Sequence, residues 1–233
     1  MLCKILKSFT LSILIVLFDQ ARSQTVVKLA DFGVKANSFE NASPAVQKAI
    51  ESCAGKSQVV LQLPEGRIDL WPEGAMKREL YISNSTEDDR SSKIKNIGFW
   101  FEGLNGLTLE GNNTLVVLHG KMVSFGAHNC KNLKIRNISF DYERPTMSEL
   151  TIRSVSPTVI EADILPGSKF EIENGRIVFY GEGWRSWSHH TIVFSPGKEL
   201  MQYSSFKPFA ESKAVEPSPF HVRFEGDFSK TSF

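Results

Sequence analysis

Beyond Ile97 the chain lays down its apolar residues in short alternating bursts: Ile97/Phe99/Phe101, Leu107/Leu109, Leu115/Val117, Val123/Phe125, Leu133/Ile135 and Ile138/Phe140. A period of two puts alternate side chains on one face, so each burst predicts a strand with one face buried. Between the bursts lie glycine and asparagine, as in Asn105-Gly106, Gly111-Asn112-Asn113 and Asn129-Cys130-Lys131-Asn132. Both residues tolerate left-handed backbone, which lets a chain turn a corner in one or two positions. Asn105-Gly106-Leu107-Thr108-Leu109 and Lys131-Asn132-Leu133-Lys134-Ile135 look like the same corner about 26 residues apart. Strand bursts, tight corners and a repeat of that length form the pattern of a solenoid, in which each turn stacks on the one before. A β-sandwich is the competing architecture.

Upstream, Val26 to Leu29 predicts a short strand, and Asp31-Phe32-Gly33-Val34 turns the chain toward Asn41-Ala42-Ser43-Pro44. Ser43 is placed to cap a helix and Pro44 to open it; Val46, Ala49, Ile50 and Cys53 then share one face until Gly55 stops it. A lone amphipathic helix must cover something, and a stack of strands needs a lid over its first unpaired edge. Val59 to Leu63 and Arg67 to Leu70 are two more strands around the turn Pro64-Glu65-Gly66, and residues 71–96 look like a polar excursion.

The pattern changes after Asp141-Tyr142-Glu143-Arg144-Pro145. Leu150/Ile152, Val159 to Ile164, Phe170/Ile172, Ile177/Phe179, Thr191 to Phe194 and Met201/Tyr203 are strands with hairpin-like links, and Asn174-Gly175 is a two-residue hairpin turn. Antiparallel hairpins are not solenoid corners. The expected organisation is therefore all-β: solenoid turns over residues 24–145 and a separate antiparallel barrel or sandwich over 146–233. Residues 211–233, with Pro217-Ser218-Pro219, do not return to the solenoid pattern. The open last turn predicts poor solubility for the chain expressed alone.

The N-terminus carries Lys4 and Lys7, an apolar run from Phe9 to Phe18, and Ala21-Arg22-Ser23 ahead of Gln24. A run of about ten residues is half the roughly 20 a spanning helix needs, so residues 1–23 are expected to be a cleaved secretory signal peptide and the protein to be periplasmic or extracellular, without a membrane span. Cys3 precedes the apolar core, which argues against lipid anchoring. Cleavage removes Lys4, Lys7 and Arg22 against Asp19, taking the formal charge from +1 to about −1. Nucleic acid is excluded as a partner, because its binding needs clustered basic charge. Cys53 and Cys130 are expected as two thiols rather than a disulfide, one on a helix face and one in a turn.

Val27-Lys28-Leu29-Ala30-Asp31-Phe32-Gly33-Val34-Lys35-Ala36, with the helix after it, resembles the entry segment of pectate-lyase-like parallel β-helix proteins. Three further segments are narrower: Gly103 to Met122, with Leu118-His119-Gly120-Lys121-Met122; Asn129 to Pro145; and Asn174-Gly175-Arg176 through Phe179-Tyr180-Gly181-Glu182-Gly183-Trp184-Arg185-Ser186. Together they resemble the N-terminal third of the α-1,3-galactosidases of glycoside hydrolase family 110. The resemblance implies a right-handed parallel β-helix with an N-terminal capping helix, interrupted by an inserted antiparallel β-barrel. It also implies exo-acting, metal-independent removal of terminal α-1,3-linked galactose from glycans with inversion, and no cofactor. Inversion uses two carboxyl groups roughly 6.5–9.5 Å apart. By the resemblance these lie on later turns, beyond Phe233, so no catalytic residue is assigned. The rival expectation is a non-catalytic β-helix portion that binds glycan, or a pseudoenzyme. A polysaccharide lyase ranks last, because no cluster of basic residues answers acidic subsites.

Several residues invite a functional role and a plainer one. Trp184 and Trp187 are the candidates for stacking on a sugar ring, ahead of Trp71 and Trp100, although packing is the ordinary fate of an indole. Asp141 and Glu143, two apart on a strand end, could face one way but more simply pair with neighbours such as Arg144. Asp88-Asp89 lies in a Ser/Thr/Asn-rich loop. His119 before Gly120 is expected to be a hydrogen-bonded corner residue rather than a base. His189-His190 point to opposite faces of a strand and lack partners at ligand spacing, so no metal is expected. The sequons at Asn41, Asn84, Asn112 and Asn137 would carry no meaning in a bacterial exported protein, which is what the resemblance implies.

Overall fold

The computed structural model describes residues 24–80, 93–186, 191–194, 201–203, 208–209 and 211–229. Strand β1 (Thr25–Lys28) runs into a single 3-10 turn, Leu29–Phe32, closed by Gly33 at φ 89°. Helix α1 (Ser43–Ser52) follows, with Val46, Ala49, Ile50 and Cys53 buried against the strands, so the apolar stripe does form the packing face. The cap differs from expectation. Ala42, not Ser43, is the cap residue. Ser43 is buried, and its hydroxyl donates to the Trp71 carbonyl at 2.7 Å and accepts the Trp71 N–H at 3.0 Å, while Asn41 Oδ1 accepts the Ser43 N–H at 2.9 Å. Bonding the strand below left Ser43 unavailable to its own helix.

Six strands follow to β7: β2 (Val59–Gln62), β3 (Arg67–Leu70), β4 (Met76–Glu79), β5 (Ile94–Glu102), β6 (Thr108–Leu118) and β7 (Met122–His128); then comes β8 (Lys134–Tyr142). Parallel pairing joins β1 to β2, β2 and β3 to β6, β6 to β8, and β5 to β7. Val27, Leu61, Leu109 and Ile135 consequently line up across four strands, and Ile68, Val116 and Phe140 across three. The 26-residue spacing is a register: Leu109 pairs Ile135 and Ile97 pairs Val123, each 26 apart. Past Gly111-Asn112-Asn113 the offset shortens, with Leu118 opposite Tyr142. Asn112, Asn113 and Asn137 take the left-handed backbone that the corners require, at φ 51°, 62° and 55°. Bursts that looked separate, Leu107/Leu109 and Leu115/Val117, therefore belong to one bent strand.

The excursion at 71–96 also holds more order than its polarity suggested. β4 pairs antiparallel with β5, Met76 opposite Ile97. A strand reading Met-Lys-Arg-Glu has no apolar alternation to betray it; it is held by its ladder with β5 and by Arg78, which pairs with Glu102 and lies over Trp100. The core beneath consists of Leu29, Leu61, Leu63, Leu70, Phe99, Phe101, Leu109 and Leu118, all essentially inaccessible. Each contributes about 1.5–3 kcal/mol through burial. Cover thins toward β8, whose Ile135, Ile138, Phe140 and Tyr142 are only partly buried.

Among the described residues, the named strands of the second half pair antiparallel. Its strands are β9 (Leu150–Val155), β10 (Val159–Ile164), β11 (Lys169–Glu173), β12 (Arg176–Gly181), β13 (Trp184–Ser186), β14 (Ile192–Phe194), β15 (Met201–Tyr203), β16 (Lys213–Ser218) and β17 (His221–Glu225). They make sheets in the order β16-β17-β10-β9 and β11-β12-β13, and a β14-β15 pair. Asn174-Gly175 turns β11 into β12 with both residues at positive φ, 52° and 76°, as a primed two-residue hairpin demands. Ile160, Ala162, Ile164, Ile177, Phe179, Val222 and Phe224 face a second core, distinct from the first. The hairpin β16-β17 was hidden in sequence by Pro217, tolerated because β16 is an edge strand that needs no further donor. Cys53 and Cys130 are both free thiols, and burial raises the pKa of Cys53.

Candidate functional site: a histidine held between two carboxylates

Alternation along β3 turns Ile68 and Leu70 into the core and Arg67 and Asp69 away from it. Asp69 nevertheless has no exposed side-chain surface. Arg67 covers it, its Nε lying 3.0 and 3.1 Å from the two carboxylate oxygens, while its Nη2 reaches Glu143 at 3.0 Å. Phe39 lies under the same guanidinium, 4.8 Å from ring centroid to Cζ. On the other side stands His119, at the end of β6, where its main-chain N–H donates to the Leu70 carbonyl at 2.9 Å. Its Nε2 is 2.9 Å from Asp69 Oδ1, and its Nδ1 is 2.8 and 3.0 Å from the Glu182 carboxylate. The ring stacks on Trp71 with centroids 3.7 Å apart and planes 9° apart.

Burial by itself would raise the Asp69 pKa; the hydrogen bonds from Arg67 and His119 outweigh it and hold the carboxyl below its ordinary range. Asp69 in turn raises the Arg67 pKa. Glu182 sits in the two-residue turn between β12 and β13, next to Gly183 at φ 65°, and its side chain is 41% exposed. The assembly thus runs Glu143, Arg67, Asp69, His119, Glu182, each side chain in hydrogen-bond reach of the next, from the parallel strands to the antiparallel half. Chemically it is a chain of satisfied hydrogen bonds.

The residues singled out in sequence distribute differently. Trp184 is only 8% exposed and belongs to the second core, its indole lying over Gly181 and its Nε1 buried without a hydrogen-bond partner. An indole so packed presents no open face for a sugar ring. Trp187, Asp88-Asp89 and His189-His190 lie outside the described residues. Trp100 is buried, donating its Nε1 hydrogen to Glu102 at 3.1 Å, with the Arg78 guanidinium over its ring. Asp141 Oδ1 accepts the Tyr142 N–H at 2.7 Å, whereas Glu143 pairs with Arg67, so these two carboxylates have separate partners. His119 is the hydrogen-bonded corner residue its position suggested. Asp69 and Glu182 were not singled out in sequence: a charged residue on the outward face of a strand and a glutamate between two glycines look like ordinary surface groups.

Among the described residues, no helix is long and apolar enough to cross a membrane, and no group of three or more His, Cys, Asp or Glu residues is placed to hold a metal ion. Residues 148–232 match the family described as GLAA-B beta-barrel domain I. The chain is 40% identical over 206 residues to α-1,3-galactosidase A of Bacteroides fragilis, a match covering 88% of this chain and 34% of that protein. It is 32% identical over 197 residues to α-1,3-galactosidase B of Bacteroides thetaiotaomicron, covering 84% and 31%. With α-1,3-galactosidase A of Shewanella woodyi the figures are 31% over 208 residues, 87% and 33%. The chain spans about a third of the length of these curated relatives. Most of this chain is thus homologous to about a third of the α-1,3-galactosidases A and B, and its second half matches their barrel-domain family.

Proposed function

We propose that this chain is part of an exported, exo-acting glycoside hydrolase that removes terminal α-1,3-linked galactose from glycans with inversion. In this reading residues 1–23 are a signal peptide that directs the protein to the periplasm or the exterior. Residues 24–145 are the first turns of a right-handed parallel β-helix lidded by α1, and residues 146–233 form an inserted antiparallel β-barrel. The observation that carries the proposal is the 40% identity over 88% of the chain to a protein named α-1,3-galactosidase A. The parallel register at 26-residue intervals and the change to antiparallel pairing beyond Pro145 support it. The catalytic carboxylates lie on turns beyond these residues, and Asp69, Glu143 and Glu182 serve structure.

A chimera tests this. Residues 24–229 replace the matching segment of the Bacteroides fragilis relative, and release of galactose from an α-1,3-linked disaccharide is followed by proton NMR. Retained activity, with β-galactose appearing first, is the expected result. A folded chimera without activity overturns the functional reading, and α-galactose appearing first overturns inversion. The rival, glycan binding without catalysis, draws on the fact that Asp69, Glu143 and Glu182 are all engaged by Arg67 or His119. Galactose release by the 233-residue chain alone would refute that rival and the placement of the carboxylates together.

A further inference from the structure

His119 joins the two halves of the molecule, and nothing in the proposed hydrolysis uses it. We infer that His119 is a latch: it locks the β12-β13 hairpin onto the parallel strands and thereby fixes the orientation of the whole antiparallel unit. Its ring has one carboxylate from each half, Asp69 on β3 at 2.9 Å and Glu182 in the hairpin turn at 2.8 Å. Each ring nitrogen is thus engaged with a carboxylate from a different half. The His119 side chain is 7% exposed and that of Asp69 0%, so the alternative to the bridge is a buried carboxylate with one partner fewer.

The ring is also fixed in its own plane. Trp71 stacks on its face, and the Trp71 main chain is tied to Ser43 at the start of α1. The latch is therefore anchored in the lid helix as well as in β3. Gly120, immediately after His119, shows how closely the halves meet. A β-carbon there would lie 3.2 Å from the Glu182 carbonyl oxygen and 3.3 Å from Pro72 Cγ, so the hairpin backbone rests directly on the corner. The other charged groups of the assembly act through Asp69: Arg67 bonds it, and Glu143 bonds Arg67 where the chain leaves β8. Arg144 supplies a second tie by donating to the Gly167 carbonyl.

This inference is independent of whether the chain serves a galactosidase. Hydrogen exchange on the full chain tests it by comparing the amides of residues 179–186 with those of Val59–Gln62 in Glu182→Ala, His119→Gln and the double variant. Glu182 lies partly exposed at a hairpin tip, so truncating it leaves both cores intact. Each single variant should speed exchange at 179–186 by about tenfold, within the range of a hydrogen bond to a charged group after allowing for solvent screening. The double variant should add little to either single one, because both remove the same bond. Glu182→Gln, which keeps an acceptor, should restore part of the protection, and Val59–Gln62 should be unaffected in Glu182→Ala. Unchanged exchange at 179–186, fully additive effects, or an equal acceleration at Val59–Gln62 in Glu182→Ala would each overturn the latch. Should His119→Gln fail to fold, the two Glu182 variants still decide the matter.

Discussion

Replacing Gly111 by alanine should lower the melting temperature of the chain by about 4–8 °C, and the reason lies in how closely β6 and β8 stack. Gly111 is buried at the bend of β6 without requiring positive φ, so alanine is acceptable to its backbone. Space is the difficulty. A β-carbon there would lie 2.1 Å from the Asn137 carbonyl oxygen, 2.6 Å from Ile138 Cβ and 2.7 Å from the Asn137 carbonyl carbon. Ordinary contact begins near 3.4 Å, so more than 1 Å must be found by moving main chain in the adjoining strand. Overpacking of this kind costs ~1–3 kcal/mol, and the backbone identity of the obstructing atoms puts this site at the upper end. The smaller unfolded ensemble of alanine offsets ~0.4–1 kcal/mol. The net of about 2 kcal/mol corresponds to the stated shift for a chain of this size.

Thermal melts followed by far-ultraviolet circular dichroism measure it, with Gly103→Ala as the control. Gly103 sits at φ 64° with nothing within 4 Å of its would-be β-carbon, so it carries backbone strain alone, about 1 kcal/mol. A Gly111→Ala melting temperature equal to or above that of the parent would refute the stacking argument. Equal losses in the two variants would show that generic glycine replacement, not the contact between β6 and β8, sets the cost.

Three other outcomes are expected. Thr114 is buried and its hydroxyl lies between the Pro64 and Gly111 carbonyls, so Thr114→Val should destabilise the chain by about 1–3 kcal/mol in urea titration, with an unchanged m-value. His221 has its pKa raised, first by its hydrogen bond to Asp163 and also by Glu161; its stabilisation is complete below the unfolded value near 6.5 and is lost as pH rises through the higher folded value. The melting temperature should fall across that window, and His221→Gln should flatten the fall. Glu102, held at about 2 by the Trp100 N–H and then by Arg78, should titrate near that pH by carbon-13 NMR, and Trp100→Phe should move its midpoint upward.

The parallel strands were legible because asparagines and glycines punctuate them, and two of the pairings, β5 with β7 and the start of β6 with β8, keep the 26-residue interval in register. Strand count was less legible where asparagines bend a strand without ending it, as at Asn112 and Asn113, or where a polar strand such as β4 shows no apolar alternation. The hairpin β16-β17 carried apolar residues at Ala214, Val222 and Phe224, yet Pro217 and Pro219 broke the pattern that would have exposed it. The His119 bridge could not be found by spacing. Its partners lie 50 and 63 positions away in sequence and meet it only in the folded chain, one on β3 and one in the β12-β13 turn. Trp184 failed as a surface candidate for a local reason: Gly181 opposite it leaves a gap that the indole fills.

The register of the parallel ladder bears on how loops in such a chain can change. Val60 and Thr108 pair across 48 positions, whereas Leu109 and Ile135 pair across 26. Loop-closure entropy grows only with the logarithm of length, so closing the longer circuit costs about 0.5 kcal/mol more than the shorter. The link between two paired strands can therefore accept an insertion of roughly twenty residues for less than a typical hydrogen bond contributes. The same ladder cannot lose the alignment of Leu61, Leu109 and Ile135, because a one-residue slip would turn every core side chain of the slipped strand toward water.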